Sequence, residues 1–89
     1  MNKATQTINP PKFIRIRTTL ELSGLTRTSL YRRMQEGVFV PTISLGGRSV
    51  AHIESEVNLV LSAMAAEKSP EELKHLVKYL VDQRQQAAA

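Results

Sequence analysis

Thr28, Tyr31, Arg32 and Gln35 recur at the three- and four-residue spacing that gathers side chains onto one stripe of a helix, while Leu30 and Met34 share a different face. Such a stripe can read nucleic acid. Thr, Arg and Gln all engage base edges in a DNA major groove, arginine favouring guanine and glutamine favouring adenine. Tyr31 fits packing and phosphate contact equally well. Arg27 and Ser29 flank the stripe, and Arg48 follows Gly46-Gly47 at a turn. An arginine there fits a minor groove, where narrow A·T tracts concentrate negative potential, or the flanking backbone. A connecting hairpin with a solvated arginine is the alternative. Lys12, Arg15 and Arg17 complete the basic set as phosphate contacts.

No comparable set exists for catalysis. Glu54 and Glu56 lie two apart and so do not share a helical face, which makes them a poor acid–base pair. His52 and His75 have no partners for a triad or a metal cage and read as satisfied or solvated residues. The 89 residues include no cysteine. Disulfide scaffolds, thiolate zinc sites, iron–sulfur clusters and cysteine nucleophiles are thereby excluded. An enzyme is not expected, and no cofactor is implied.

Charge sharpens the reading. The chain carries a formal +4, unevenly spread. Residues 1–50 hold eight basic groups against two acidic ones, and residues 51–89 hold four against six. Six of the eight N-terminal cations are arginine, which pairs bidentately with phosphate and guanine. A one-sided field of this kind attracts polyanions, although a solvated basic face has the same composition. No apolar run approaches the ~18 residues of a membrane span, and the polar start lacks a signal core. The expected setting is the bacterial cytosol at the nucleoid, with no membrane partner.

The elements that must position these residues follow from periodicity. Residues 1–12 are polar, end in Pro10-Pro11 and read as a disordered basic arm. Phe13 to Arg17 reads as a short strand, with alternation from Ile14 onward, and Thr18-Thr19-Leu20-Glu21 reads as a capping box opening a brief helix. Gly24 ends that helix, and Thr26 caps a second over Arg27 to Glu36. The pair forms a helix-turn-helix with Leu20, Leu25 and Leu30 at its crossing. Gly37 closes the second helix. Gly46-Gly47 between β-prone runs signals a hairpin, placed as a wing directly after the helix pair. Val57, Val60, Leu61 and Met64 mark the buried face of a third helix that opens on Glu54 and Glu56. Ser69-Pro70-Glu71-Glu72 opens a fourth. Its apolar residues Leu73, Leu76, Val77, Leu80 and Val81 either cover the core or make an oligomer or partner contact, and the end from Gln83 is expected to fray. The fold class is thus mainly α with a small β wing: a winged helix-turn-helix over 13–67 plus a C-terminal amphipathic helix over 69–86.

Gly24-Leu25-Thr26-Arg27-Thr28-Ser29-Leu30-Tyr31-Arg32, then Glu36-Gly37 with Phe39, then Leu45-Gly46-Gly47-Arg48-Ser49-Val50 followed by Glu54-Ser55-Glu56-Val57 stand in a recognisable order. On these residues the run from Ile14 to about Met64 resembles the AlpA-type phage regulators, winged-helix proteins related to phage excisionases and more distantly to MerR DNA-binding domains. Val40, Ser44, His52 and Val60 depart from the family pattern. The resemblance implies sequence-specific binding of double-stranded DNA, with the helix of Thr28, Ser29, Tyr31 and Arg32 in the major groove and Arg48 on the wing. It further implies a gene of a prophage or genomic island whose product activates an integrase gene or acts as a recombination directionality factor. The partners implied are integrase-promoter or attachment-site DNA and a tyrosine recombinase integrase. A homodimer or a cooperative array on DNA is the expected means of occupancy. A protein-interaction module acting through the last helix is the alternative function.

Overall fold

Burial, rather than capping, decides where the first helix begins. The computed structural model describes residues 10–88. In it, a two-residue strand β1 (Phe13–Ile14) gives way at once to helix α1 (Ile16–Ser23). Ile16, Thr19, Leu20 and Ser23 fall on one helical stripe, and Ile16 and Thr19 at its start are buried. The strand expected as far as Arg17 and the capping box expected at Thr18 are therefore corrected. Arg15 is the N-cap, without a side-chain hydrogen bond, and Thr19 faces the core. The expected arm over residues 1–12 lies mostly outside the described residues.

Helix α2 (Arg27–Gln35) starts as expected, with Thr26 Oγ1 accepting from the Ser29 amide at 3.1 Å. It ends in a Schellman turn: the Val38 amide donates to the Arg33 carbonyl at 3.1 Å and Gly37 donates to Met34 at 3.2 Å. Gly37 sits at φ 79°, a conformation that a side chain disfavours. The turn delivers Val38, Phe39 and Val40 into the core, with Phe39 and Val40 wholly buried.

The chain then forms a hairpin from β2 (Ile43–Gly46) and β3 (Ser49–Ile53). β1 pairs antiparallel with the other edge of β3, Phe13 opposite Ile53, giving the order β1-β3-β2. The ladder is irregular between Ser44 and Gly46, so Leu45 has no cross-strand partner, and Ser44 Oγ accepts from the Gly46 amide at 3.2 Å.

Helix α3 (Glu54–Ala65) follows without a break and sends Val57 and Val60 into the core. Helix α4 (Pro70–Ala88) opens with a complete capping box. Glu72 Oε1 accepts from the Ser69 amide at 2.9 Å while Ser69 Oγ accepts from the Glu72 amide at 3.2 Å. These bonds hold the Glu72 carboxyl below its ordinary range.

The core gathers Leu30, Phe39, Val40, Val57 and Val60 with Ile14, Ile16, Val77 and Leu80. Each large side chain so buried contributes roughly 1.5–3 kcal/mol. Leu73, Val77 and Leu80 are each 6% exposed, and Leu76 is half-buried against the same cluster. Of the two readings for Leu73, Leu76, Val77 and Leu80, core cover and oligomer contact, the packing supports core cover, with Leu76 the least buried of the four. Helix α4 also runs through to Ala88 rather than fraying at Gln83.

Candidate nucleic-acid interface

The stripe on α2 is exposed. Thr28, Tyr31, Arg32 and Gln35 stand clear of the core, with Arg27 beside them, whereas Leu30 is fully buried and fixes the helix on the opposite side. Ser29 is half-buried, its amide engaged by the Thr26 cap. Five of these residues, Arg27, Thr28, Tyr31, Arg32 and Gln35, line an open groove of about 820 Å³ completed by Met34, Pro41 and Thr42. Helix α2 thus has a facing wall, contributed by the segment between the Schellman turn and the hairpin. The lining of the groove is predominantly apolar, and two arginines belong to it.

Among the described residues, ion pairs involve Lys12, Lys78 and Arg84 as cations. Arg15, Arg17, Arg27, Arg32, Arg33 and Arg48 are in none of them, so the basic half keeps charge available for phosphate. Arg15 and Arg17 are exposed at the start of α1. Lys12 stands apart: its Nζ lies 3.6 Å from a Glu54 carboxylate oxygen, which offsets part of its charge. Arg48 is exposed in the two-residue wing turn after Gly47. Gly46 at φ 111° and Gly47 at φ 55° take the backbone angles this hairpin needs. Leu45, 41% exposed, stands beside the turn.

The wall opposite α2 is fastened from a distance. Arg84 on α4 donates from Nε to Glu56 Oε2 at 2.9 Å and from Nη2 to Glu56 Oε1 at 2.6 Å. Nη2 also donates to the Pro41 carbonyl at 2.9 Å. The side chains of Arg84 and Glu56 are only 17% and 8% exposed, so this forked pair works in a medium of low polarity. One guanidinium ties together α4, the first turn of α3 and the groove wall.

Beneath that wall lies His52, wholly buried. It shares a 2.9 Å hydrogen bond through Nδ1 with Thr19 Oγ1 and meets the Phe39 ring edge-on at 5.5 Å. Its Nε2 has no hydrogen-bond partner among the described residues. His52 is thus buried rather than solvated, with its hydrogen bond to Thr19 made through Nδ1. Burial lowers its pKa below the ordinary histidine value and the Arg84 charge acts the same way, against the opposing Val40 backbone and Glu56 carboxylate. His75 is exposed on α4.

Four residues of this arrangement escape a reading of the sequence as an interface. Met34 reads as core, and it does pack on the core while also lining the groove. Pro41 and Thr42 read as connection. Arg84 lies in a polar tail, yet the spacing Leu73, Val77, Leu80, Arg84 carries it along the buried stripe, and that is the signal by which it could be found.

Comparison with known proteins gives the chain a family. Residues 12–59 match the family described as prophage CP4-57 regulatory protein (AlpA). The chain is also 36% identical over 59 residues to "Uncharacterized protein ORF88" of Enterobacteria phage P4, a match covering 66% of this chain and 67% of that protein. No solved structure matches.

Proposed function

The chain belongs to the prophage CP4-57 regulatory protein (AlpA) family, and from that premise we propose that it binds double-stranded DNA sequence-specifically to regulate or excise a prophage or genomic island. The observation that carries this reading is the exposed stripe Thr28, Tyr31, Arg32 and Gln35 on a helix whose opposite side is locked by Leu30. Helix α2 enters the major groove, Arg48 on the wing reaches the adjoining minor groove or backbone, and Arg15 and Arg17 hold phosphates, with Lys12 contributing weakly. The protein does no bond-making chemistry of its own. It positions or bends DNA for an integrase of the tyrosine recombinase type, or recruits transcription to the integrase gene.

A single module of this kind covers roughly 600–1,000 Å² of its own surface on DNA. Occupancy then comes from neighbouring copies bound side by side, or from a dimer. The alternative of an interaction module working through α4 is less supported, because Leu73, Val77 and Leu80 pack against the chain's own core. The test is a salt titration on a random duplex beside a fragment spanning the upstream region and attachment site of the neighbouring integrase gene. Discrimination of about 10³ or more between the two is expected, with the random component lost steeply in salt. Equal affinity for both duplexes overturns the sequence-specific reading.

A further inference from the structure

The groove beside α2 has a chemical character that its flanking arginines do not account for. Phosphate and guanine recognition require only cations and donors, but most of the lining here is apolar. Met34, Pro41 and Tyr31 supply that surface, with Arg27 and Arg32 as the cations. Pro41 is exposed, yet its carbonyl is held by Arg84 at 2.9 Å, so the wall is set before any ligand arrives. Tyr31 is 43% exposed, an aromatic ring left uncovered on the same helix as the base-reading stripe.

We propose that this groove takes the C5-methyl group of thymine, so that the protein selects T·A pairs at the positions facing Met34 and Pro41. The inference rests on the DNA-binding reading above. Arg27 and Arg32 in the groove favour an anionic occupant, which the DNA-binding reading supplies, and among the four unmodified bases the major-groove edge displays one apolar group, the thymine methyl. Gln35 lines the same groove and can bond bidentately to an adenine, which suits the partner base of the same pair. Arg32 then reads a neighbouring guanine. Specificity comes from an apolar contact and a polar one acting on adjacent base edges.

The experiment separates this inference from the reading beneath it. The full chain is used to select binders from a randomised 20-base-pair duplex library, and each thymine of the enriched duplex is then replaced in turn by deoxyuridine, which lacks only the methyl. Affinity is expected to fall about fourfold for each methyl that the groove covers, and to be unchanged at the other thymines. Pro41→Ala, a change at an exposed position, is expected to bind the thymine and uracil duplexes nearly equally, the signature of direct coupling between the two groups. Met34→Ala, checked for folding by circular dichroism, should erode the same difference.

Enrichment of a sequence whose affinity is indifferent to every uracil overturns the thymine assignment and leaves the DNA-binding reading standing. The same holds for a methyl effect that survives both Pro41→Ala and Met34→Ala. Failure to enrich any sequence overturns the underlying reading as well. A dimer in DNA-free solution that Pro41→Ala dissociates assigns the groove to a second copy of the chain instead, and this too overturns the proposal.

Discussion

On the proposed function, Arg32 and Arg15 share a charge but differ in task, and the difference is measurable. Arg32 lines the groove beside Gln35, whereas Arg15 is exposed at the N-cap of α1. Arg32→Ala is expected to lower affinity for the specific duplex by about 1–3 kcal/mol while leaving random-duplex binding little changed, as parallel titrations will show. Arg15→Ala should weaken both duplexes alike and reduce the log–log salt slope by about one. Equal losses on both duplexes for Arg32→Ala remove its base-reading role. His52 has a different consequence at the same scale. Its folded-state pKa is depressed, so between that value and the unfolded value of about 6.5 the unfolded chain binds more protons than the folded one. Stability is therefore complete above about pH 6.5 and declines as pH falls below it. Urea unfolding from pH 8 to pH 5 should show this decline, and His52→Gln should flatten it.

At the level of elements, two junctions invite substitution. Helix α3 ends in a second Schellman turn, in which the Lys68 amide donates to Ala63 at 3.1 Å and Glu67 donates to Met64 at 2.9 Å. Here the left-handed position is held by Glu67 at φ 57°, where a side chain costs about 1–2 kcal/mol. Glu67→Gly relieves that cost while adding some freedom to the unfolded chain, so a net gain of about 0.5–1 kcal/mol is expected in thermal unfolding. The Arg84 fork behaves in the opposite sense. Arg84→Ala leaves the Glu56 carboxylate buried without its partner, at a cost of about 3–5 kcal/mol. Arg84→Lys retains the charge but not the fork. It should fold, bind random DNA normally and discriminate less well, because the Pro41 wall is no longer fixed.

For the molecule as a whole, α4 is part of the domain. Truncation after Glu67 removes Leu73, Val77, Leu80 and Arg84 together, and loss of the cooperative unfolding transition is expected. Survival of a folded, DNA-binding fragment contradicts that assignment. With four to six phosphates neutralised, the salt dependence of binding should have a log–log slope of about −4 to −5. Much of this architecture is legible in the sequence, since Thr26, Gly37, Gly46-Gly47 and the Ser69 box are local signals whose physics lies within a few residues. The stripe on α2 is legible for the same reason. The start of α1 is not, because Ile16 and Thr19 are recruited by a core made from distant residues, which outweighs the capping box at Thr18. The groove wall is less legible still, for it depends on contacts between positions 41, 56 and 84 that no local pattern encodes.

Those separations also impose an order in time. Helices α1 and α2 meet across a short turn, and their crossing can form as soon as both have been synthesised. The bond from Arg84 to Pro41 closes a loop spanning 43 positions and must wait until α4 exists. A nascent chain that has reached α3 already carries the arginines of its first half but not the finished wall. On the proposed function, such a chain is attracted to any duplex before it can tell one from another, and it gains discernment only once α4 has docked.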